Sequence, residues 1–482
     1  MGTINMTRVF PLVLALAANL QAATPNIVFV LFDDMGWGQP PCYNPQSALR
    51  TPNLDKLTSQ GMRFTDAHSA SAVCTPTRYG VLTGRYPGRI GQFGVLGTWS
   101  PPIIPTSRMT VASLLKQHGY ATACFGKWHL GMNWGTRGST QKQMQVGDRM
   151  TDGPNALGFD YFCGYTHAAN IQSVIEQDRC IAQIQSSESQ PLLVKKAVEW
   201  IDGCAEKGVP FFLYFPMCPP HTPVVPAAEF IGKSDAKDLV LNDPKYGDWL
   251  YQGDAMLGQI LEALERNHLA DNTLVIAASD NGAEHRAYAP LRESKRSIYE
   301  GGHRVPFVVR WPGKVKPGSV NDHTICLNDL MATAAEIVGA KLPDNAGEDS
   351  VSLVSEFLGT GKGPARAATV HQSMAGDFAI RQGDWKLIYF KDGRRALYHL
   401  PSDLSETKDV LVENPEIVAR LTKLMQGYLD NGRSTPGAAQ SNELPNGWRQ
   451  VLQTDGPGKS TSATQPVGKK KRTKSRTPNG NP

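Results

Sequence analysis

The chain has eight cysteines but no CxxC pair among them, so a paired-cysteine zinc site is not suggested. The body also lacks any apolar run long enough to span a bilayer. Nor does it carry a basic excess. Seven basic residues (Lys459, Lys469, Lys470, Lys471, Arg472, Lys474 and Arg476) lie beyond Pro457, where there is no acidic residue. Taking these seven from the formal net charge of +5 leaves −2 for the rest. Nucleic-acid binding by the body therefore has no support, and the basic pI belongs to the tail. The composition is ordinary for a globular protein, 40% hydrophobic and 19% charged, and 482 residues can hold one large domain plus a smaller one.

Both ends read differently from the body. Arg8 precedes the short apolar run 9–18, and small residues follow at Ala22 and Ala23, so residues 1–23 are expected to be a signal peptide and the product to be exported, periplasmic or secreted. Residues 451–482, rich in Ser, Thr, Gly and Pro, are expected to be a disordered basic tail. Export permits disulfides, but spacing does not give their pairing. If Cys74 is reserved for chemistry, seven cysteines remain and at least one stays unpaired.

Between the ends, a pattern repeats. The apolar runs 25–32, 120–125, 210–215 and 273–278 read as strands buried on both faces, and helices are expected at 51–57, 110–118, 192–204, 249–266 and 328–338. Arg63 to His68 reads as a strand, and 132–190 reads as polar and loop-rich. From about residue 365 the character shifts to hairpin strands turning at Gly383 and Gly393, closed by a helix over 414–429. The expected fold is α/β: a large, mostly parallel mixed sheet flanked by helices over residues 24–365, with a smaller C-terminal α+β domain over 366–450.

The strand ends carry the chemistry. The first ends in Asp33-Asp34, whose adjacent carboxylates repel unless a cation sits between them, and hard divalent ions take such oxygens. The fourth ends in Ser279-Asp280-Asn281-Gly282, again an oxygen pair at a strand terminus, where open α/β sheets place their sites. Lys127 and His129, two apart, share a face if their strand continues. Four prolines around His221 make a rigid loop. Cys74 begins a run that can start a helix, with Pro76 two on and Arg78 one turn on. A buried structural thiol and a residue facing an anion at a helix start are both open readings.

Taken together, Cys74-x-Pro76-x-Arg78 with Leu82-Thr83-Gly84-Arg85, Asp33-Asp34, Gly126-Lys127-Trp128-His129, the loop with His221, Ser279-Asp280-Asn281-Gly282, and Glu300-Gly301-Gly302 with Val305-Pro306 resemble the type I sulfatases of the alkaline-phosphatase-like superfamily, over about residues 25–430. The resemblance implies that Cys74 is converted to formylglycine by a maturation enzyme that reads Pro76 and Arg78. It also implies that calcium is held by Asp33, Asp34, Asp280, Asn281 and residue 74. Arg78, Lys127, His129, His221 and Lys295 take the family's catalytic and sulfate-binding positions, with Lys127, His221 and Lys295 on the substrate. Glu293 and Ser294 stand where the family usually has glycines before that lysine, and Arg296 is a nearby competitor for its role. His303 fills a place that is often aliphatic and is expected to face the site and bind substrate.

The implied reaction is hydrolysis of a sulfate ester, on a sulfated carbohydrate or another sulfate ester. The hydrated aldehyde is the nucleophile, His129 the base that releases sulfate, and His221, with Lys295, the acid at the leaving oxygen. Two alternatives stand beside it: a phosphodiesterase or phosphonate monoester hydrolase of the same superfamily, and an inactive binder of sulfated glycans.

Overall fold

The structure is a computed structural model that describes residues 24–135, 143–236, 243–284, 286–363 and 366–443. The expected signal peptide, the basic tail and the last residues assigned to the C-terminal domain lie outside the described residues.

The first strand, β1 (Asn26–Asp33), is buried along its whole length. Its side chains alternate between two cores. Ile27, Phe29 and Leu31 enter one, with residues of the helices α2 (Cys74–Thr83), α3 (Val111–Gln117) and α7 (Leu330–Ile337). Val28, Val30 and Phe32 enter the other, with residues of α1 (Pro52–Gln60), α4 (Ser186–Lys207) and α5 (Tyr246–Arg266). Because alternate side chains meet helices on opposite faces, the stretch Ile27–Phe32 is apolar at every position. Each fully buried Val, Leu, Ile or Phe contributes roughly 1.5–3 kcal/mol.

The remaining strands of the large sheet are β2 (Met62–Phe64), β4 (Ala121–Lys127), β5 (Tyr161–Tyr165), β6 (Ser173–Glu176), β7 (Arg179–Gln183), β8 (Phe211–Pro220), β9 (Thr273–Ser279), β10 (Phe307–Arg310) and β11 (Ser319–Asn321). Their spatial order is β11-β2-β10-β9-β1-β8-β4-β5-β6-β7. The five neighbours β9-β1-β8-β4-β5 are parallel, while β10 and β6 pair antiparallel at either side of them. The sheet is thus large and mixed, mostly parallel at its centre.

The segment 132–190, read from sequence as loop-rich, supplies three strands of this sheet and the start of α4. These strands are four or five residues long and only partly apolar, and the edge of an existing sheet selects their conformation more than their own propensity does. The strand expected over 63–68 divides at Thr65–Asp66. Its second part, β3 (Ala67–His68), pairs with β12 (Ile325–Cys326) instead.

After α6 (Glu300–His303) and α8 (Val354–Phe357), the chain forms an antiparallel meander: β13 (Thr369–Gln372), β14 (Phe378–Gln382), β15 (Trp385–Tyr389) and β16 (Arg395–His399). The amphipathic helix α9 (Pro415–Asp430) lays Val418, Leu421, Met425 and Tyr428 against Phe378, Ile380, Leu387 and Tyr389. The hairpin turns fall at Gly383 and Gly393, both at positive φ. The small sheet meets the Cys74 loop directly, because Ala72 N–H donates to the Gln372 carbonyl at 3.0 Å.

Candidate active site

Four adjacent parallel strands, β9-β1-β8-β4, end on one edge of the sheet and carry Asp280-Asn281, Asp33-Asp34, His221 and Lys127 at or just beyond their C-terminal ends. Phe32 is in register with Ser279, so the two oxygen pairs emerge side by side. Asp34 adopts a left-handed φ of 69°, which turns the chain out of the strand, and its N–H donates to Asp280 Oδ1 at 3.1 Å. Gly126 lets β4 lie close to β8: a Cβ there would meet the Pro216 carbonyl oxygen at 2.1 Å. β4 ends at Lys127, so the shared-face argument for His129 does not apply. His129 turns off the strand at φ 56°, and Thr75 Oγ1 donates to its carbonyl at 3.0 Å.

Cys74 is the first residue of α2, a helix buried at all ten positions and without a side-chain cap at its N-terminus. The first-turn N–H groups and the positive end of the helix therefore sit at residue 74. Burial pushes the Cys74 thiol up, with Asp33 and Asp280 adding to the effect and Lys127 and Lys295 opposing it. The unmodified residue is a neutral thiol and a poor nucleophile.

Around it, four buried acids (Asp33, Asp34, Asp280 and Glu284) meet three buried bases, and the half-exposed Arg296 completes the charge balance through Glu284. Lys127 Nζ lies 2.5 Å from Asp33 Oδ2. Lys295 Nζ lies 2.6 Å from Asp34 Oδ1 and 3.2 Å from Glu284 Oε2. The Arg78 guanidinium holds Asp280 Oδ2 through Nη2 at 2.7 Å and Nε at 3.1 Å, and its Nη1 donates to the Lys127 carbonyl at 2.9 Å. Burial works against ionisation of Asp33, but Lys127, His221, Arg78 and Lys295 together hold its carboxyl well below the usual range. Burial and then Asp33 push Asp280 up to about 7, despite Arg78. Burial lowers Lys127, yet Asp33, Cys74 and Asp280 outweigh it and the ammonium is stabilised.

The donor set fits a hard cation. One ligand atom each of Asp33, Cys74 and Asp280 lie within 4.8 Å of one another. Asp33 Oδ1 and Asn281 Oδ1 are buried without a hydrogen-bond partner among the described residues, while Asn281 Nδ2 donates to Asp34 Oδ1 at 2.7 Å. Such oxygen donors suit calcium or magnesium and not a soft metal.

Two histidines flank this group. His129 Nε2 is 2.8 Å from the Leu96 carbonyl, which only a protonated nitrogen can satisfy, and Nδ1 is buried with no partner among the described residues. Burial, then Lys127, hold His129 well below its ordinary value, so it is neutral with its lone pair on Nδ1. His221 Nε2 lies 3.7 Å from Asp34 Oδ2, and its Nδ1 contacts the Thr222 carbonyl. Burial lowers His221, against the pull of Asp33 and Asp34.

Of the residues expected from sequence, Asp33, Asp34, Cys74, Arg78, Lys127, His129, His221, Asp280, Asn281 and Lys295 come together. Lys295, and not Arg296, reaches Asp34; Arg296 pairs with Glu284 at 2.5 Å. His303 does not join them. It is fully buried, with its Nδ1 3.0 Å from His68 Nδ1 and its Nε2 near the Ile298 carbonyl and Lys386 Nζ, so it does not face the strand-end site. It sits after a helical turn that points it towards the small sheet and not the strand ends. Sequence reading missed Glu284, four residues past Asp280, and His167, whose ring centroid lies 4.7 Å from that of His129. A glutamate just past an oxygen-ligand pair was the available signal for the first. His167 follows β5, which sequence did not reveal. All eight cysteines are free.

This geometry agrees with what the chain is similar to. The family model Sulfatase matches residues 25–340, and N-sulphoglucosamine sulphohydrolase, C-terminal, matches residues 284–433. The N-acetylgalactosamine-6-O-sulfatase of Bacteroides thetaiotaomicron is 30% identical, over 83% of this chain and 92% of that protein. Human arylsulfatase A is 35% identical, over 79% of this chain and 78% of that protein. A solved sulfatase structure from work on the metabolism of multiple glycosaminoglycans by B. thetaiotaomicron superposes with a TM-score of 0.76 at 28% identity, covering 84% of this chain and 99% of that one. With the strand-end acids, the buried lysines and the Cys74 helix all in place, the chain belongs to the sulfatase family and is a sulfuric ester hydrolase.

Proposed function

We propose that the substrate is a sulfated carbohydrate, that Cys74 works as formylglycine made by a maturation enzyme, and that Asp33, Asp34, Asp280, Asn281 and residue 74 hold calcium. The observation that carries this reading is the charge-balanced ring around the start of α2, in which Asp33, Asp34, Asp280 and Glu284 meet Arg78, Lys127, Lys295 and Arg296, with two buried acceptor oxygens that have no hydrogen-bond partner among the described residues. An added divalent ion makes that ring cationic, which suits a sulfate monoester anion. The carbohydrate assignment draws on the B. thetaiotaomicron relative named for N-acetylgalactosamine-6-O-sulfate chemistry.

When present, the formylglycine supplies a hydrated aldehyde as nucleophile, and the calcium supplies a positive charge for the sulfate oxygens. The other roles fall to side chains of the chain itself. Lys127 and Lys295 bind the sulfate oxygens as point charges, already held by Asp33 and Asp34. Arg78, fully buried and engaged with Asp280 and the Lys127 carbonyl, acts through them as a positioning residue. His129 takes a proton at Nδ1, because Nε2–H is committed to Leu96. His221, with Nδ1–H on the Thr222 carbonyl and Nε2 3.7 Å from Asp34 Oδ2, gives the Nε2 proton to the leaving oxygen only as the imidazolium, the form that Asp33 and Asp34 favour against burial.

We assign residues 24–365 to the catalytic unit and 366–450 to the small C-terminal unit, and infer export. No helix among the described residues is long and apolar enough to cross a membrane.

Two measurements test the reading. Mass spectrometry of the peptide containing residue 74, from protein made in a host with the maturation enzyme, is expected to find the aldehyde; an active enzyme that keeps the thiol overturns that part. A chelator is expected to abolish hydrolysis of an aryl sulfate and calcium to restore it. Full activity in metal-free protein refutes the ion assignment. Phosphate and phosphonate esters run in the same series are expected to turn over more slowly, and the reverse order would favour the phosphonate-hydrolase alternative.

A further inference from the structure

Lys295 and Arg296 are adjacent in the chain and meet the same carboxylate. Glu284 Oε2 lies 3.2 Å from Lys295 Nζ, and Glu284 Oε1 lies 2.5 Å from Arg296 Nη2. The exposures differ sharply. The side chains of Lys295 and Glu284 are 3% and 10% exposed, and that of Arg296 is 46% exposed. One carboxylate therefore ties the buried sulfate-facing ammonium to a guanidinium that opens to solvent. Arg296 offers five N–H donors in a planar fork, and the nitrogens other than Nη2 have no side-chain partner among the described residues.

The backbone of Arg296 is held as firmly as its side chain. Its N–H donates to the Ala72 carbonyl at 2.8 Å, two residues before Cys74, and its carbonyl accepts from Met374 N–H at 3.1 Å. Its φ is 78°, and that of Glu293 is 57°, a conformation that costs a non-glycine residue about 1–2 kcal/mol. A half-exposed ion pair returns about 0–1 kcal/mol, so the pair with Glu284 does not offset that strain. A non-glycine residue kept in the left-handed region next to Lys295, on the carboxylate that Lys295 also contacts and with donors to spare, invites a functional explanation.

Building on the sulfatase reading, we propose that Arg296, braced by Glu284, binds a second anionic group of the substrate next to the sulfate ester that is cleaved. The preferred substrate is then a sugar carrying at least two negative charges, the second a further sulfate or a uronate carboxylate. Each presents two oxygens that a guanidinium fork can meet with paired hydrogen bonds, and an otherwise uncharged monosulfated sugar or an aryl sulfate forgoes that contact.

The test is steady-state kinetics of the matured enzyme and of Arg296→Gln on four substrates: an aryl sulfate, a monosulfated N-acetylhexosamine, a disulfated hexosamine, and a monosulfated disaccharide with a uronate. Arg296→Gln is expected to raise KM for the doubly anionic sugars about 10- to 100-fold with kcat held, and to leave kcat/KM for the first two substrates unchanged. Arg296→Lys is expected to recover part of the loss. The disulfated and uronate arms identify which anion is read. Equal losses on all four substrates, or an unchanged KM for both doubly anionic sugars, overturn the proposal and leave the sulfatase reading standing. Wild-type enzyme inert on every sulfate ester overturns both.

Discussion

The chain buries two ionic clusters of the same formal balance. At the strand ends Asp33, Asp34, Asp280 and Glu284 face Arg78, Lys127, Lys295 and the half-exposed Arg296. Between the large sheet and the small one, Asp66, Glu300 and Glu406 face Arg304, Arg381 and Lys386, with His68, His303 and His371 among them. The difference lies in what each leaves over. In the second cluster both nitrogens of every histidine are occupied: His68 by His303 and Asp66, His303 by His68 and the Ile298 carbonyl, His371 by the Ser69 carbonyl and Thr369 Oγ1. One ligand atom of each histidine lies within 4.8 Å of the other two, yet a metal there would have to displace those bonds. At the strand ends, by contrast, His129 keeps a buried Nδ1 with no hydrogen-bond partner among the described residues, next to an uncapped helix start. Count and burial of charge do not distinguish a site from a joint. Nor does an unsatisfied acid oxygen, since Glu300 Oε2 in the second cluster also lacks a hydrogen-bond partner among the described residues; a buried histidine nitrogen without one does.

Three substitutions sharpen that contrast. The largest effect is expected from Cys74→Ala, which removes the reacting residue while leaving the strand-end pairs intact. Turnover of an aryl sulfate should vanish with the thermal transition close to wild type, and retained turnover would break the assignment. Next comes Lys386→Met in the joint. Lys386 Nζ lies 2.7 Å from Glu406 Oε1 and 3.0 Å from Glu300 Oε1, all fully buried, so its removal leaves uncompensated charge. Denaturant unfolding should register a loss of about 3–5 kcal/mol. Activity per folded molecule should be unchanged, and a catalytic defect without destabilisation would erase the distinction between the clusters.

The smallest effect concerns pH. Burial holds His68, His303 and His371 below their ordinary value of 6.5. The unfolded chain takes up protons that the folded chain refuses, so stability should fall as pH drops below about 6.5. Glu406, pushed up to about 7 by burial, works in the opposite sense between that value and its ordinary 4.5. Asp66 and Glu300, held well below their ordinary values by their cationic partners, lose stability only in more acid solution. His371→Gln should make the slope of stability against pH between 6.5 and 5 shallower, by up to about 1.4 kcal/mol per pH unit. An unchanged slope would mean that the joint does not carry the acid response.

Much of the site was legible because its residues sit next to features that sequence displays. Asp33-Asp34 and Asp280-Asn281 end runs too apolar to be anything but buried strands, and Cys74 and Arg78 lie one helical turn apart with Pro76 between them. His303 misled for a physical reason. Its neighbours in sequence, Glu300 and Arg304, look like site residues, but the turn at α6 sends all three towards the small sheet, whose Lys386 and Arg381 are about 80 residues further along the chain. The strands β5 to β7 stayed hidden because four or five mixed residues show no period that a loop could not also show.

What the sequence alone determined is local: a buried parallel core from continuous apolar runs, carboxylates at the strand ends, a cysteine at a helix start, and a meander turning at Gly383 and Gly393. Those follow from short-range periodicity and turn chemistry. Only the tertiary structure decided which lysine reaches Asp34, which nitrogen of His129 is free, and that Glu284 links Lys295 to Arg296. Each of these depends on a backbone turn between segments 10 to 260 residues apart, and hydrogen-bond geometry over such separations is set by the packed fold and not by any stretch of sequence.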